Sequence, residues 1–128
     1  MKKLSITWKH YDKGGKTCDR CRITGKNIRQ LLTELKPELA KRNINLVYQE
    51  EKLEKDAIDQ SNLILLNGTP IEKFLPDIQV QHTPCDSCSC LAGTDVSCRA
   101  ILQNGYVSED VSKGLLTEAI YQAAKGLG

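Results

Sequence analysis

Leu4, Ile6 and Trp8 alternate with Ser5, Thr7 and Lys9 as far as His10, the period of a strand with one buried face. A loop over residues 11–17, containing Gly14 and Gly15, then leads into Cys18-Asp19-Arg20-Cys21. Ile28, Leu31, Leu32, Leu35 and Leu39 recur at helical spacing between charged residues. They predict a long amphipathic helix, with a kink or break near Lys36 caused by Pro37. Ile44, Leu46 and Tyr48 alternate with Asn45 and Gln49 as a second strand, and residues 51–60 read as a charged connector with a helical turn around Ile58. Leu63-Ile64-Leu65-Leu66 is short and wholly apolar, which predicts a central strand buried on both faces. Asn67-Gly68 and Asn104-Gly105 each follow an apolar run, and at least one should form a hairpin because both residue types tolerate positive φ. Residues 76–97 read as irregular. Val111, Leu115, Ala119, Ile120 and Ala123 predict a final amphipathic helix, with Ser108 as its N-cap and Glu109 and Asp110 in its first turn.

A first and second strand separated by a long helix predict a right-handed parallel crossover, and the closely spaced later strands predict antiparallel pairing. The resulting architecture is α/β and thioredoxin-like: a mixed central sheet flanked by two long helices, with a cysteine-rich loop inserted at residues 76–98. With 128 residues, 40% hydrophobic and 27% charged, the chain reads as one domain, residues 1–128, able to bury a single core.

Charge removes some functions from consideration. Eighteen Lys and Arg face 16 Asp and Glu, a net charge of +2, interspersed rather than clustered; no nucleic-acid partner is expected. The longest apolar run has four residues against about twenty needed to span a bilayer, so no membrane association is expected either. Lys2 and Lys3 precede no continuous apolar stretch of secretory type, and the expected location is cytoplasmic. In that reducing compartment six cysteines point to metal binding or redox chemistry rather than to structural disulfides.

Cys18 and Cys21 are the candidate catalytic pair. A Cys-x-x-Cys between a strand and a helix has the context of a thioredoxin-type dithiol. Amide groups at a helix N-terminus stabilise a thiolate, and Lys16, Arg20 and Arg22 add positive charge, so Cys18 is expected below the ordinary thiol pKa of about 8.5, with Cys21 resolving a mixed disulfide. The expected partner is a disulfide-bearing protein or a small thiol. Cys85, Cys88, Cys90 and Cys98 form a second cluster, in a loop with too little periodic apolar surface to order itself. Four thiolates around zinc would hold it, and so would a disulfide such as Cys90 to Cys98. The other ligand set is Cys18, Cys21, Cys85 and Cys88. The alternative function is therefore a thiolate module that binds zinc or another soft metal, structural or sequestering; no other cofactor is indicated. His82 and His10 read as ordinary solvated or hydrogen-bonded histidines, Thr69-Pro70 as a trans turn, and Glu50-Glu51-Lys52 and Glu54-Lys55-Asp56 as solvated surface. No hydrolase triad, phosphate-binding glycine loop or paired acid and base is present.

Trp8-Lys9-His10 leading to Thr17-Cys18-Asp19-Arg20-Cys21, the run from Ser61 through Gly68, the cysteine-rich loop, Cys98-Arg99 and the last Asn-Gly resemble an uncharacterised bacterial domain family placed among thioredoxin-like proteins. The resemblance covers nearly the whole chain and implies a thioredoxin-like fold. Against well-studied thioredoxins, Asp19-Arg20 replaces the usual Gly-Pro, no Trp precedes Cys18, and Ser61-Asn62 stands where many relatives carry a cis-proline. That proline blocks metal capture by the dithiol in typical relatives, so its absence leaves zinc, copper(I) or an arsenic-type thiophile open at Cys18 and Cys21.

Overall fold

The computed structural model describes residues 2–13, 16–17, 19–54, 63–84, 97–103, 105–108 and 111–127, with backbone alone for 12, 13, 16, 17, 19, 20, 84, 97 and 98. Strand β1, Lys2–Lys13, is the middle of the main sheet. It runs three residues beyond the predicted His10 and turns back through the short β2, Lys16–Thr17, where a loop was expected. Helix α1 follows, Asp19–Ala40, and returns the chain to β3, Ile44–Leu53. β3 lies parallel to β1 along ten register pairs, Lys2 with Ile44 through Tyr11 with Leu53. The parallel crossover predicted from the alternation is present. Residues 51–53, expected in a connector, complete β3, and the helical turn expected around Ile58 lies outside the described residues.

On the other side of β1 runs β4, Leu63–Leu66, antiparallel to it, followed by β5, Thr69–Pro70. β4 is central as expected, paired with β1 and β5, and was expected to be buried on both faces. Instead Ile64 and Leu66 are buried while Leu63 and Leu65 are only half-buried, because the second face of this sheet is not sealed along β4. Asn67 (φ 50°) and Gly68 (φ 82°) both take left-handed backbone conformations in the β4–β5 turn, which explains the Asn-Gly pair there. A 3-10 turn, Ile71–Lys73, leads to a second sheet of β6, Ile78–Pro84, β7, Ser97–Gln103, and β8, Tyr106–Ser108, all antiparallel. Gly105, at φ 82°, turns β7 into β8, so the second Asn-Gly also falls at a hairpin; Asn104 itself is outside the described residues.

Helix α2, Lys113–Leu127, closes the described fold. Its cap is Ser112, whose Oγ accepts from the Leu115 amide at 3.2 Å, and not the predicted Ser108, which belongs to β8. Glu109 and Asp110 lie outside the described residues, and the first turn of α2 contains no acid. α1 is unbroken through Pro37. The proline removes one bond near the helix end, and buried Leu35 and Leu39 on either side hold the last turn against the core.

The core explains the layering. Leu4, Ile6, Trp8 and His10 of β1, Ile44 and Leu46 of β3, and Ile64 and Leu66 of β4 are buried on one sheet face. Ile28 and Leu31 of α1 and Leu116 and Ile120 of α2 meet Ile6 and Leu66 there, so both helices cover that same face. They run in the same direction, as three contacts in order show: Asn27 to the Val111 carbonyl at 2.9 Å, Glu34 to Lys113 at 2.8 Å, and the Arg42 guanidinium over the Tyr121 ring at 5.1 Å. Ile78 and Ile101 of the second sheet join this core.

Candidate functional site

α1 begins at Asp19, which puts Cys21 in its first turn. Cys21 is fully buried, as is Thr24 one turn on. Thr24 Oγ1 accepts the Val111 amide at 3.0 Å, while Asn27 Nδ2 donates to the Val111 carbonyl at 2.9 Å. Both backbone groups of one residue are thereby satisfied by α1 side chains, and the segment entering α2 is tied to the helix carrying Cys21. Cys18 lies outside the described residues, and of Lys16 and Arg20 the backbone alone is described.

Under the helix, the indole of Trp8 packs directly on Gly25. A Cβ on Gly25 would stand 2.5 Å from Trp8 Cη2, closer than any real contact, so the glycine is required by the ring. Trp8 also stacks with His10, ring centroids 3.9 Å apart and planes inclined by 21°. His10 is buried, and its Nε2 lies 2.7 Å from Glu50 Oε1 on β3. An ionised carboxylate only accepts, so Nε2 carries the hydrogen in this contact and a neutral His10 has its lone pair on Nδ1. Nearby on β3, Tyr48 Oη is buried without a hydrogen-bond partner. Burial, and then the Glu50 charge, push the Tyr48 phenol up to about 12, with Arg29 opposing.

Glu50, Glu51 and Lys52 are all exposed, as expected of a solvated run, but Glu50 also reaches a buried imidazole. Glu51 pairs with Lys9 at 3.4 Å. His10 was read as an ordinary histidine, yet continuing the alternation of Leu4, Ile6 and Trp8 by one step puts it on the buried face. That signal was in the pattern; its Glu50 partner, forty residues away, was not.

The segment expected to be irregular around the second cysteine cluster is partly regular. Residues 78–84 were read as irregular but form β6, and β6 pairs with β7 from Ile78 with Gln103 to Pro84 with Ser97. Cys98 lies on β7 opposite Thr83, so a backbone ladder closes the base of the segment 85–96. Cys85, Cys88 and Cys90 lie outside the described residues, and only the backbone of Cys98 is described. Among the described residues no three His, Cys, Asp or Glu side chains converge as a metal site. His82 is exposed on β6 opposite Arg99, and Arg99 Nη2 bonds Glu72 Oε1 at 2.5 Å, linking the second sheet to the 3-10 turn. No cis peptide occurs among the described residues, so Thr69-Pro70 is trans as expected.

These features define an α/β protein with a mixed sheet covered on one face by two parallel helices, a second antiparallel sheet, and a buried cysteine in the first turn of its long helix. The chain belongs to the family described as Domain of unknown function (DUF2703), whose model matches residues 4–120. It is 30% identical over 117 residues to an uncharacterized protein of the archaeon Archaeoglobus fulgidus, an alignment covering 88% of this chain and 82% of the relative. No solved structure matches. No helix among the described residues is long and apolar enough to cross a membrane.

Proposed function

We propose that this protein is a thioredoxin-like thiol-disulfide redox protein using Cys18 and Cys21. The observation that carries this reading is the start of α1 at Asp19, with Cys21 buried one turn into a helix that follows the central strand. The strand order supports it: β3 parallel on one side of β1, β4 and then β5 antiparallel on the other, with α1 and α2 on one face, follows the arrangement of a thioredoxin-like core. The second sheet is then an insertion between β5 and α2.

In the reaction, the Cys18 thiolate attacks one sulfur of a partner disulfide, forming a mixed disulfide and releasing the partner's other sulfur as a thiolate. Cys21 loses its proton and attacks Cys18 Sγ, which expels the second partner thiolate. The partner disulfide gains two electrons, the Cys18 and Cys21 pair loses two, and a small thiol or dithiol restores the pair. The substrate is a disulfide-bearing protein or small molecule, and the compartment this chemistry fits is the reducing cytoplasm.

Thiol alkylation across pH, comparing Cys18→Ser with Cys21→Ser in metal-free protein, tests the reading. Cys18 is expected to titrate below Cys21, and Cys21→Ser to trap a mixed disulfide. Thiols that react only after zinc is stripped, and then with ordinary pKa values, overturn it in favour of a thiolate metal module.

A further inference from the structure

We propose that the cleft where the two sheets meet is a binding site for a small aliphatic alcohol, held by its hydroxyl on Glu72 Oε2. The walls are apolar: Ile64 of β4, Ile71 of the 3-10 turn, Ile101 of β7, and Val111 before α2. The polar end is Glu72, with Arg99 beside it. Arg99 Nη2 bonds Glu72 Oε1 at 2.5 Å, while Glu72 Oε2 is buried and has no hydrogen-bond partner. A carboxylate oxygen shut away from water without a donor is costly, and the cleft that Glu72 borders supplies the room for one. The site makes no use of the cysteines and stands apart from the redox reading.

The shape suits a short ligand. The cleft holds about 260 Å³, part of it open to solvent, and its enclosed portion has room for one water-sized group. That lies below the roughly 300–1,000 Å³ of pockets for drug-sized molecules. A hydroxyl fits the enclosed portion, with a short branched carbon chain along the isoleucine and valine walls. Those four side chains belong to the buried core. Val111 is also held at both backbone groups, its amide by Thr24 and its carbonyl by Asn27, so the walls are preformed. Charge decides among donors. Glu72 and Arg99 are both more than four-fifths buried and neutralise each other. An ammonium head would leave a net positive charge beside them, and a carboxylate head would meet Glu72 with like charge. A hydroxyl brings one donated hydrogen and no charge. Arg99 is already engaged, and the ligand draws on Glu72 alone.

Three molecules with one carbon skeleton test the site: sec-butanol, which donates, butanone, which only accepts, and sec-butylamine, a cation at neutral pH. Methyl resonances of the wild-type protein are followed as each is added. Sec-butanol is expected to shift the methyl groups of Ile64, Ile71, Ile101 and Val111 along a saturable curve, and butanone to bind at least about tenfold more weakly. In the double variant Glu72→Leu with Arg99→Met, which removes the acceptor and its counter-charge together, the preference for the alcohol should vanish. Should that variant fail to fold, the three molecules compared on the wild-type protein decide alone. Equal affinity for alcohol and ketone overturns the role of Glu72 Oε2. Stronger binding of sec-butylamine overturns the choice of a neutral donor, and the lack of any saturable shift at the four wall residues overturns the site itself.

Discussion

Trp8 rests on Gly25 so closely that the helix can approach β1 only where the side chain is a hydrogen. The contact sets the height of α1 over the sheet, and with it the burial of Cys21 one turn earlier and the stacking of His10 beneath.

Gly25→Ala should therefore destabilise the protein despite the better helix propensity of alanine. Displacing an indole from a packed core costs about 1–3 kcal/mol, against a propensity gain of about 1 kcal/mol, so a net loss of roughly 1 kcal/mol is expected. Trp8 is the single tryptophan, and its fluorescence should shift in the native baseline of a urea titration. An unshifted emission with raised stability would contradict the contact.

Thr24→Val keeps the shape of the side chain but leaves the Val111 amide without its acceptor. A loss of about 1–3 kcal/mol is expected. Hydrogen exchange at Val111 should accelerate well before that of Leu4 or Ile6 in β1, since the bond ties the entry of α2 to α1. Uniform acceleration throughout the sheet would argue against this local role.

Tyr48 stays protonated to about pH 12 because ionising it would bury a charge beside Glu50. Its folded pKa lies above the ordinary phenol value of 10.0, so the folded state holds a proton that the unfolded state loses as pH rises. The associated stability is fully present below pH 10 and is lost as the pH climbs through about 12. Tyr48→Phe should flatten this part of the stability profile, and near neutrality it should cost little, since the phenol oxygen makes no hydrogen bond. Denaturation midpoints measured from pH 9 to 12 in both proteins decide the point.

Arg99 and Glu72 are both more than four-fifths buried, and Glu72 Oε2 has no partner in addition to its Arg99-bound oxygen. Arg99→Met alone should cost about 3 kcal/mol by leaving a buried carboxylate uncompensated, whereas adding Glu72→Leu should recover most of the loss. A double-mutant cycle by chemical denaturation measures the coupling; additive losses would mean that the pair does not hold the second sheet against the 3-10 turn.

What the sequence determined by itself is local. Strand alternation in Leu4, Ile6 and Trp8, helical spacing from Ile28 to Leu39, and the Asn67-Gly68 turn follow from stereochemistry and burial period, and all are present in the fold. Ile78 and Val80 alternate with Gln79 and Gln81 as plainly, but four residues inside a segment that otherwise reads as irregular do not fix a strand, and the ladder to β7 supplies its partner. Tertiary structure alone decided that both helices share one sheet face and that Leu63–Leu66, paired with β1 and β5, is sealed on one face alone. It also decided that Glu50, an exposed surface charge, is the partner of a buried histidine. The physical reason is common to all three. Periodicity states that one side of an element is buried, and the covering partner is chosen by packing between segments tens of residues apart, which no local spacing encodes.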